Sequence, residues 1–372
     1  MGPLHRPTMF RLPSKPVTLL ACTLTACGAV PPELRGTSRH IELVSWADFT
    51  PCNSALPELD TFIDEVFLAL EEPAPSTRFI ELQWFSPLDR EEHSEEWPCS
   101  ADAHGCAFDT VPLIKVASLD IEHRHELVHA VHLQALGPGP PLLREGLASY
   151  YGNPYRDHGL ATSEFEGKLV QLLESVDSIE FQDYAFARRF VGATIERHGV
   201  TQFKSFWRNT PEDASSDDFR ASYESIYSES FDDALALIAT HQTVGDPLTR
   251  CVTPPVPWIS EDYLEFTIGG RCEDEGSIGP LLLDPFVFQR RFTMDIVEDG
   301  FYEFQAIGSS FTGTALVGNS CGATPAPQFW NVQAEAPHLI ELSAGRYLIT
   351  AGLHEADPPE SVQVRVTKIQ LP

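Results

Sequence analysis

The chain has 372 residues, 42% hydrophobic and 21% charged, which is enough apolar material for one or two buried cores and too much for a globally disordered chain. Lys and Arg number 25 against 54 Asp and Glu, a formal charge of −29. Such a surface repels phosphate backbones, so a nucleic-acid partner is not expected.

Residues 1–16 carry Arg6, Arg11 and Lys15 and no acid, and an apolar run from Val17 to Ala26 follows that is too short to cross a bilayer as a helix. A basic start, an apolar middle and small residues describe a secretory signal. Leu24-Thr25-Ala26-Cys27 resembles a bacterial lipobox, which implies a signal peptide at 1–26, a lipidated Cys27 and a spacer at 27–37. Leu19-Leu20-Ala21-Cys22 is a second register with a shorter apolar run. Without the leader, 22 bases face 54 acids, a charge of −32. The expected location is the bacterial cell envelope, outside the cytoplasm, with the N-terminal lipid as the membrane attachment. Six cysteines remain, Cys52, Cys99, Cys106, Cys251, Cys272 and Cys321, and in an oxidising compartment an even count favours disulfides.

Further along, His40–Trp46 alternates like a strand, Leu59–Leu70 has helical spacing, and Phe79–Phe85 and Val111–Val116 read as strands. The acidic segment Asp89–Gly105 reads as an exposed loop, with Glu91, Glu92, Glu95 and Glu96 solvated. A helix is predicted over Leu119–Leu136 with Ser118 or Asp120 as cap, and others at about 142–151, 163–175, 184–198, 201–208 and 229–240. A Pro-rich linker is placed at 244–258, separating a first domain at 38–243 from a second at 259–372. In the second, Phe286–Thr293, Phe301–Ala306, Tyr347–Thr350 and Val362–Val366 are short strands, which suggests a small β-sandwich. The predicted class is therefore α+β: a mainly helical domain with a small N-terminal sheet, then a β-sandwich.

The chemistry centres on His125-Glu126-Leu127-Val128-His129. Residues four apart on a helix lie about 40° apart around its axis, so both imidazoles share a face. Two imidazoles so placed grip Zn²⁺ while Glu126 reaches a water at the metal. The turn Gly137-Pro138-Gly139-Pro140-Pro141 reverses the chain into a second helix, which brings Glu145 back over the histidines as a third ligand. Small residues at Gly146 and Ala148 are expected to let that helix approach the first. His132 is read as a supporting or packing histidine, His123 as facing away from His125 and exposed, and Phe203, Phe206 and Trp207 as core.

H-E-x-x-H followed on a second helix by Glu145-Gly146-Leu147-Ala148 resembles the gluzincin branch of zinc metallopeptidases. That resemblance implies His125, His129 and Glu145 as zinc ligands, Glu126 as general base, and a peptide or protein as substrate. Gluzincins often stabilise the oxyanion with a Tyr or His from a later helix, which nominates Tyr184, with Tyr223 and Tyr227 further on. Fifteen residues separate His129 from Glu145, fewer than in thermolysin-like and aminopeptidase members, and the motif for gripping a substrate amino terminus is absent. An endopeptidase is the reading that survives; the alternative is an inactive envelope binding protein on the same fold. Glu298–Phe304 and Leu342–Thr350 resemble the bacterial pre-peptidase C-terminal domain, which implies an accessory β-sandwich.

Cys52, Cys99 and Cys106 precede the linker while Cys251, within it, and Cys272 and Cys321, beyond it, make up the other three, so full pairing requires an odd number of bonds between the two sets. Six cysteines allow 15 connectivities. Proximity favours Cys99–Cys106, with Cys272–Cys321 and Cys52–Cys251 as the remaining pairs. Oligomeric state is not legible.

Overall fold

The computed structural model describes residues 33–46, 50–152, 171–172, 179, 183–241, 247–248, 251, 254–279, 287–307, 314–321, 329–333, 336–354 and 361–370. The lipobox with Cys27, and the predicted helix at 163–175 apart from residues 171–172, lie outside them. Helices and strands both occur, in an α+β arrangement.

The first sheet holds β1 (Glu33–Thr37), β2 (Ile41–Ser45), β3 (Ile80–Trp84), β4 (Gly105–Phe108) and β5 (Ile114–Ser118), in the order β1-β2-β3-β5-β4. Its middle strands β2, β3 and β5 are parallel, and β1 and β4 run antiparallel at the edges. Strand β1 falls within the stretch expected to be a spacer, where Gly36 and its neighbours gave no apolar alternation to read. Between β2 and β3 runs α1 (Ala55–Ala69), which buries Leu59, Phe62, Ile63, Val66 and Phe67 at the predicted helical spacing. A short α2 (Pro87–Glu92), on which Ser86 and Asp89 form a reciprocal cap, runs into the start of the expected acidic loop.

Helix α3 (Arg124–Ala135) starts five residues later than predicted. Neither expected cap serves it: the Ser118 hydroxyl donates to the Asp120 carbonyl (2.7 Å) and accepts from Asp120 N (3.0 Å), a local turn that keeps the chain out of the helix. After the Gly/Pro turn comes α4 (Pro141–Gly152), then α5 (Tyr184–His198), α6 (Val200–Asn209), α7 (Ser216–Tyr227) and α8 (Phe231–Thr240). Helix α7 was not predicted, although Ser215 caps it and Phe219, Tyr223 and Tyr227 recur every four residues on its buried face. Phe203, Phe206 and Trp207 of α6 are fully buried, as expected of core. Gly146 faces α5, where an added Cβ would lie 2.4 Å from Val191 and 2.5 Å from the Ala187 carbonyl, so its smallness serves that packing. Gly152 lets α3 come close, since a Cβ there would meet the backbone of Arg124 and His125 at 2.7 Å.

Among the described residues the C-terminal β region has nine strands: β6 (Tyr263–Gly269), β7 (Ser277–Ile278), β8 (Val287–Ile296), β9 (Gly300–Ile307), β10 (Thr314–Ser320), β11 (Phe329–Gln333), β12 (His338–Leu342), β13 (Gly345–His354) and β14 (Ser361–Ile369). They form two antiparallel sheets, β11-β10-β13-β8-β7 and β12-β9-β14-β6, that share one buried core. Val362, Val364 and Val366 point into it, with Tyr302 and Phe304 from β9 and Tyr347 and Ile349 from β13.

The two regions are knit together. Backbone amides of Cys52, Asn53 and Ser54 donate to the carbonyls of Gly279 (2.9 Å), Cys272 (3.1 Å) and Ser277 (3.2 Å). Ile278 of β7 enters the core of the first region, and Cys52 enters that of the second. The described part of the expected linker also packs down, with Val256 N bonded to Thr293 O (2.9 Å) and Trp258 Nε1 to Asp295 O (2.7 Å).

Among the described residues three disulfides close: Cys52–Cys272, Cys99–Cys106 and Cys251–Cys321. The local pair and the odd crossing are as predicted, but the other two bonds exchange partners, correcting Cys52–Cys251 and Cys272–Cys321. The reason is the ladder just described, which carries Cys272 to within 4.6 Å of Cys52 (Cα–Cα) and leaves Cys251 to Cys321. Disulfides fit an oxidising, extracytoplasmic compartment. Among the described residues no helix is long and apolar enough to cross a membrane.

Candidate metal centre

The centre is built where α3 leaves the sheet and α4 folds back over it. His125 and Glu126 lie in the first turn of α3, and His129 one turn on. The Gly/Pro turn delivers Glu145, in the second turn of α4, to the same face. His125 Nε2 lies 3.2 Å from Glu145 Oε2 and 3.2 Å from His129 Nε2, and His129 Nε2 lies 3.3 Å from the same Glu145 oxygen. Three ligand-type atoms from two helices thus form a nearly equilateral triangle. Among the described residues, His125, Glu126 and His129 also form a group able to hold a metal ion, with ligand atoms within 4.8 Å of one another. The structure therefore offers two carboxylates to one pair of imidazoles.

Electrostatics divides those carboxylates. Burial pushes the Glu126 carboxyl up to about 7, with His125 opposing and the Glu145 charge adding to the rise. Burial acts the same way on Glu145, but the His129 and His125 imidazoles outweigh it and hold Glu145 well below the ordinary carboxylate range. One acid is kept anionic against the histidines; its neighbour is poised to carry a proton.

Tyr184, the first residue of α5, is brought into this group. Its ring stacks on His125 with centroids 5.1 Å apart and planes 7° apart. Burial raises the phenol, the charges of Glu145 and Glu126 raise it further, and it hydrogen-bonds Glu145, so it stays protonated. Tyr223 and Tyr227 belong elsewhere: they pack on Phe206 and His198, and the Tyr223 hydroxyl donates to Glu229 (2.9 Å).

Two further histidines complete the surroundings. His132 is buried on the same helix, and its Nε2 lies 3.0 Å from His129 Nδ1, in keeping with a supporting histidine. His123 differs from the reading. Expected to face away and be exposed, it is half-buried, with Nδ1 2.9 Å from Ser118 Oγ and Nε2 3.9 Å from Glu126 Oε1. The helix begins only at Arg124, so the 100° step that turned His123 away does not apply to it. Gly105 of β4 makes its room, since a Cβ there would sit 2.5 Å from the imidazole. No sequence spacing marks His123, because Ser118, Gly105 and Glu126 meet it only through the fold.

No protein-family model matches the chain, and no curated protein does. Among solved structures it is similar in part to the C-terminal domain of A223, a structural protein from sulfolobus turreted icosahedral virus (15% identity, 30% of this chain and 100% of that one, TM-score 0.17). It is similar in part to PliG of Aeromonas hydrophila, a periplasmic inhibitor of g-type lysozyme (16% identity, 32% and 96%, TM-score 0.17). Hydroxypropylphosphonic acid epoxidase from S. wedmorenis is a third (9% identity, 56% and 98%, TM-score 0.13). At these TM-scores the likenesses assign neither a fold nor a chemistry.

Proposed function

We propose that the chain is an exported zinc-dependent endopeptidase of gluzincin type, anchored through a lipidated Cys27, with a β-sandwich as its C-terminal domain. The observation that carries the reading is the triangle of His125 Nε2, His129 Nε2 and Glu145 Oε2, with edges of 3.2, 3.2 and 3.3 Å. Bonds of about 2.0–2.1 Å in a tetrahedral zinc site set ligand atoms about 3.3–3.4 Å apart, so these residues fit that ion, with a fourth position left open. His132 supports the same reading: a ligating imidazole carries its proton on the other nitrogen, and His132 Nε2 stands 3.0 Å from His129 Nδ1 to accept it.

His125, His129 and Glu145 would hold the zinc, which would supply Lewis acidity towards water and a peptide carbonyl. Glu126 accepts the proton of the attacking water and returns it to the departing amine nitrogen as the C–N bond breaks. Tyr184, kept protonated beside Glu126 and Glu145, donates to the oxyanion that develops on the carbonyl oxygen.

Metal analysis of the purified chain with cleavage-site profiling of wild type beside Glu126→Gln tests this. One zinc per chain is expected, with new peptide termini from wild type and about 10²–10⁴-fold fewer from Glu126→Gln, which keeps its zinc. A metal-free wild type overturns the reading. Glu145→Ala decides between the carboxylates: full zinc occupancy in that variant would make Glu126 the third ligand. For the anchor, Cys27→Ala should release the protein from membranes.

A further inference from the structure

We infer that Arg291 and Gln289, on strand β8 of the C-terminal region, are positioning residues for the first turn of α3, the turn that carries His125 and Glu126. The metal-binding half of this inference rests on the reading above; the structural half does not.

Helix α3 lacks the usual device for fixing its start. Its N-cap is His123, whose side chain makes no capping bond. Instead the chain is held one residue earlier by the Glu122 carboxylate, which is only 9% exposed. A carboxylate so buried needs partners for both oxygens. Oε1 accepts from Arg124 Nε (3.1 Å), from an Arg124 terminal nitrogen (2.8 Å) and from Arg291, and Oε2 accepts from Gln289. Gln289 and Arg291 are two apart on β8 and so share a face. Arg291 also reaches Glu58 of α1 at 3.6 Å, and Arg124 lies over the Phe62 ring of the same helix (4.9 Å). One carboxylate therefore joins the start of α3, helix α1 and β8.

The anchor is itself fixed. Strand β7 pairs with β8, and the ladder between residues 52–54 and 272–279 binds that edge to the entrance of α1. Strand β8 cannot follow Glu122 if the contact is lost. Removing Arg291 leaves a buried carboxylate short of a cation, which draws Glu122 towards solvent and the backbone of residues 122–125 with it. From the other side Gly152 presses directly on the backbone of His125, so the turn has a wall behind it and a tether in front.

The test uses the full-length chain with Arg291→Leu, Arg291→Lys and the milder Gln289→Leu. Amide hydrogen exchange without zinc should accelerate at least about tenfold at residues 126–129 of Arg291→Leu while α7 keeps its wild-type rates. Gln289→Leu should accelerate the same amides less, and Arg291→Lys should restore most of the protection. Zinc competition titration should show about tenfold weaker binding in Arg291→Leu, partly recovered by Lys. Wild-type exchange at 126–129 in both Leu variants overturns the inference, as does an acceleration spread evenly over the chain. A wild type that binds no zinc overturns the functional reading, while exchange still decides the role of Arg291.

Discussion

Strand β14 and helix α3 solve opposite problems with similar lengths of chain. On β14 every second residue, Val362, Val364 and Val366, is buried, and its ionisable groups stay at the surface, where Arg365 pairs with Glu265 (2.7 Å). Helix α3 buries His125, Glu126 and His132 beside Leu127, Val128, Ala130 and Val131. The strand gains from removing apolar area from water, whereas the helix takes on the cost of desolvating imidazoles and a carboxyl. That cost is offset because the polar groups meet one another: His129 meets His132, and Glu145 meets both His125 and His129. A region that stabilises and a region that gathers ligand-type side chains are thus told apart by what they bury.

The contrast can be broken by moving one rule into the other's territory. The largest effect is expected from Phe304→Ala in the C-terminal core, where the ring is 1% exposed. Truncation there should cost about 3–5 kcal/mol of unfolding free energy, seen in denaturant titration, while folded molecules keep their metal affinity. Next comes Gly152→Ala. Its new methyl meets backbone atoms at 2.7 Å, which cannot rotate aside, so about 1–3 kcal/mol of stability should go, with weaker metal binding in the same variant because His125 is what moves. His132→Phe sharpens the distinction: an apolar ring in a buried site should hold or raise the melting temperature, yet metal affinity should fall about 10–100-fold with the loss of the His129 partner. Equal affinity in that variant would make His132 ordinary packing.

The smallest effect is one of pH. Burial raises Glu122, but Arg291 and Arg124 together outweigh it and hold the carboxyl below its ordinary value. A folded pKa below the unfolded one, about 4.3, gives stability that is complete above that value and is lost as pH falls through the folded pKa. Glu122→Gln should therefore be less stable than wild type at neutral pH, and the gap should close in acid. Parallel unfolding curves from pH 7 to pH 3 check it.

The features legible in the sequence are those written in one short stretch. The spacing of Leu59, Phe62, Ile63, Val66 and Phe67 announced α1, and H-E-x-x-H with a Gly/Pro turn announced the paired helices and the carboxylate facing them. Tyr184 entered through resemblance, and the fold brings it against His125. Features formed between distant segments were not legible. Cys52 finds Cys272 through a backbone ladder that has no side-chain signature, His123 turns inward because a serine hydroxyl ends the preceding turn, and Glu122 looks like one more surface acid until β8 is laid beside it. Helix α7 was legible and went unread, since Ser215 and three aromatics at intervals of four were there to see.

The Glu122 contact also has a meaning in time. A chain emerges N-terminus first, so residues 120–135 exist well before Arg291, which lies 169 positions beyond Glu122. Until that distant strand arrives, the carboxylate's partner among the described residues is Arg124, and the turn bearing His125 lacks the tether from β8. Closing so long a loop comes late in assembly. The contact that holds this turn is thus completed only once strand β8 has been made, and a copy that ends before it would hold His125, Glu126, His129 and Glu145 without the tether of the turn that carries the first two.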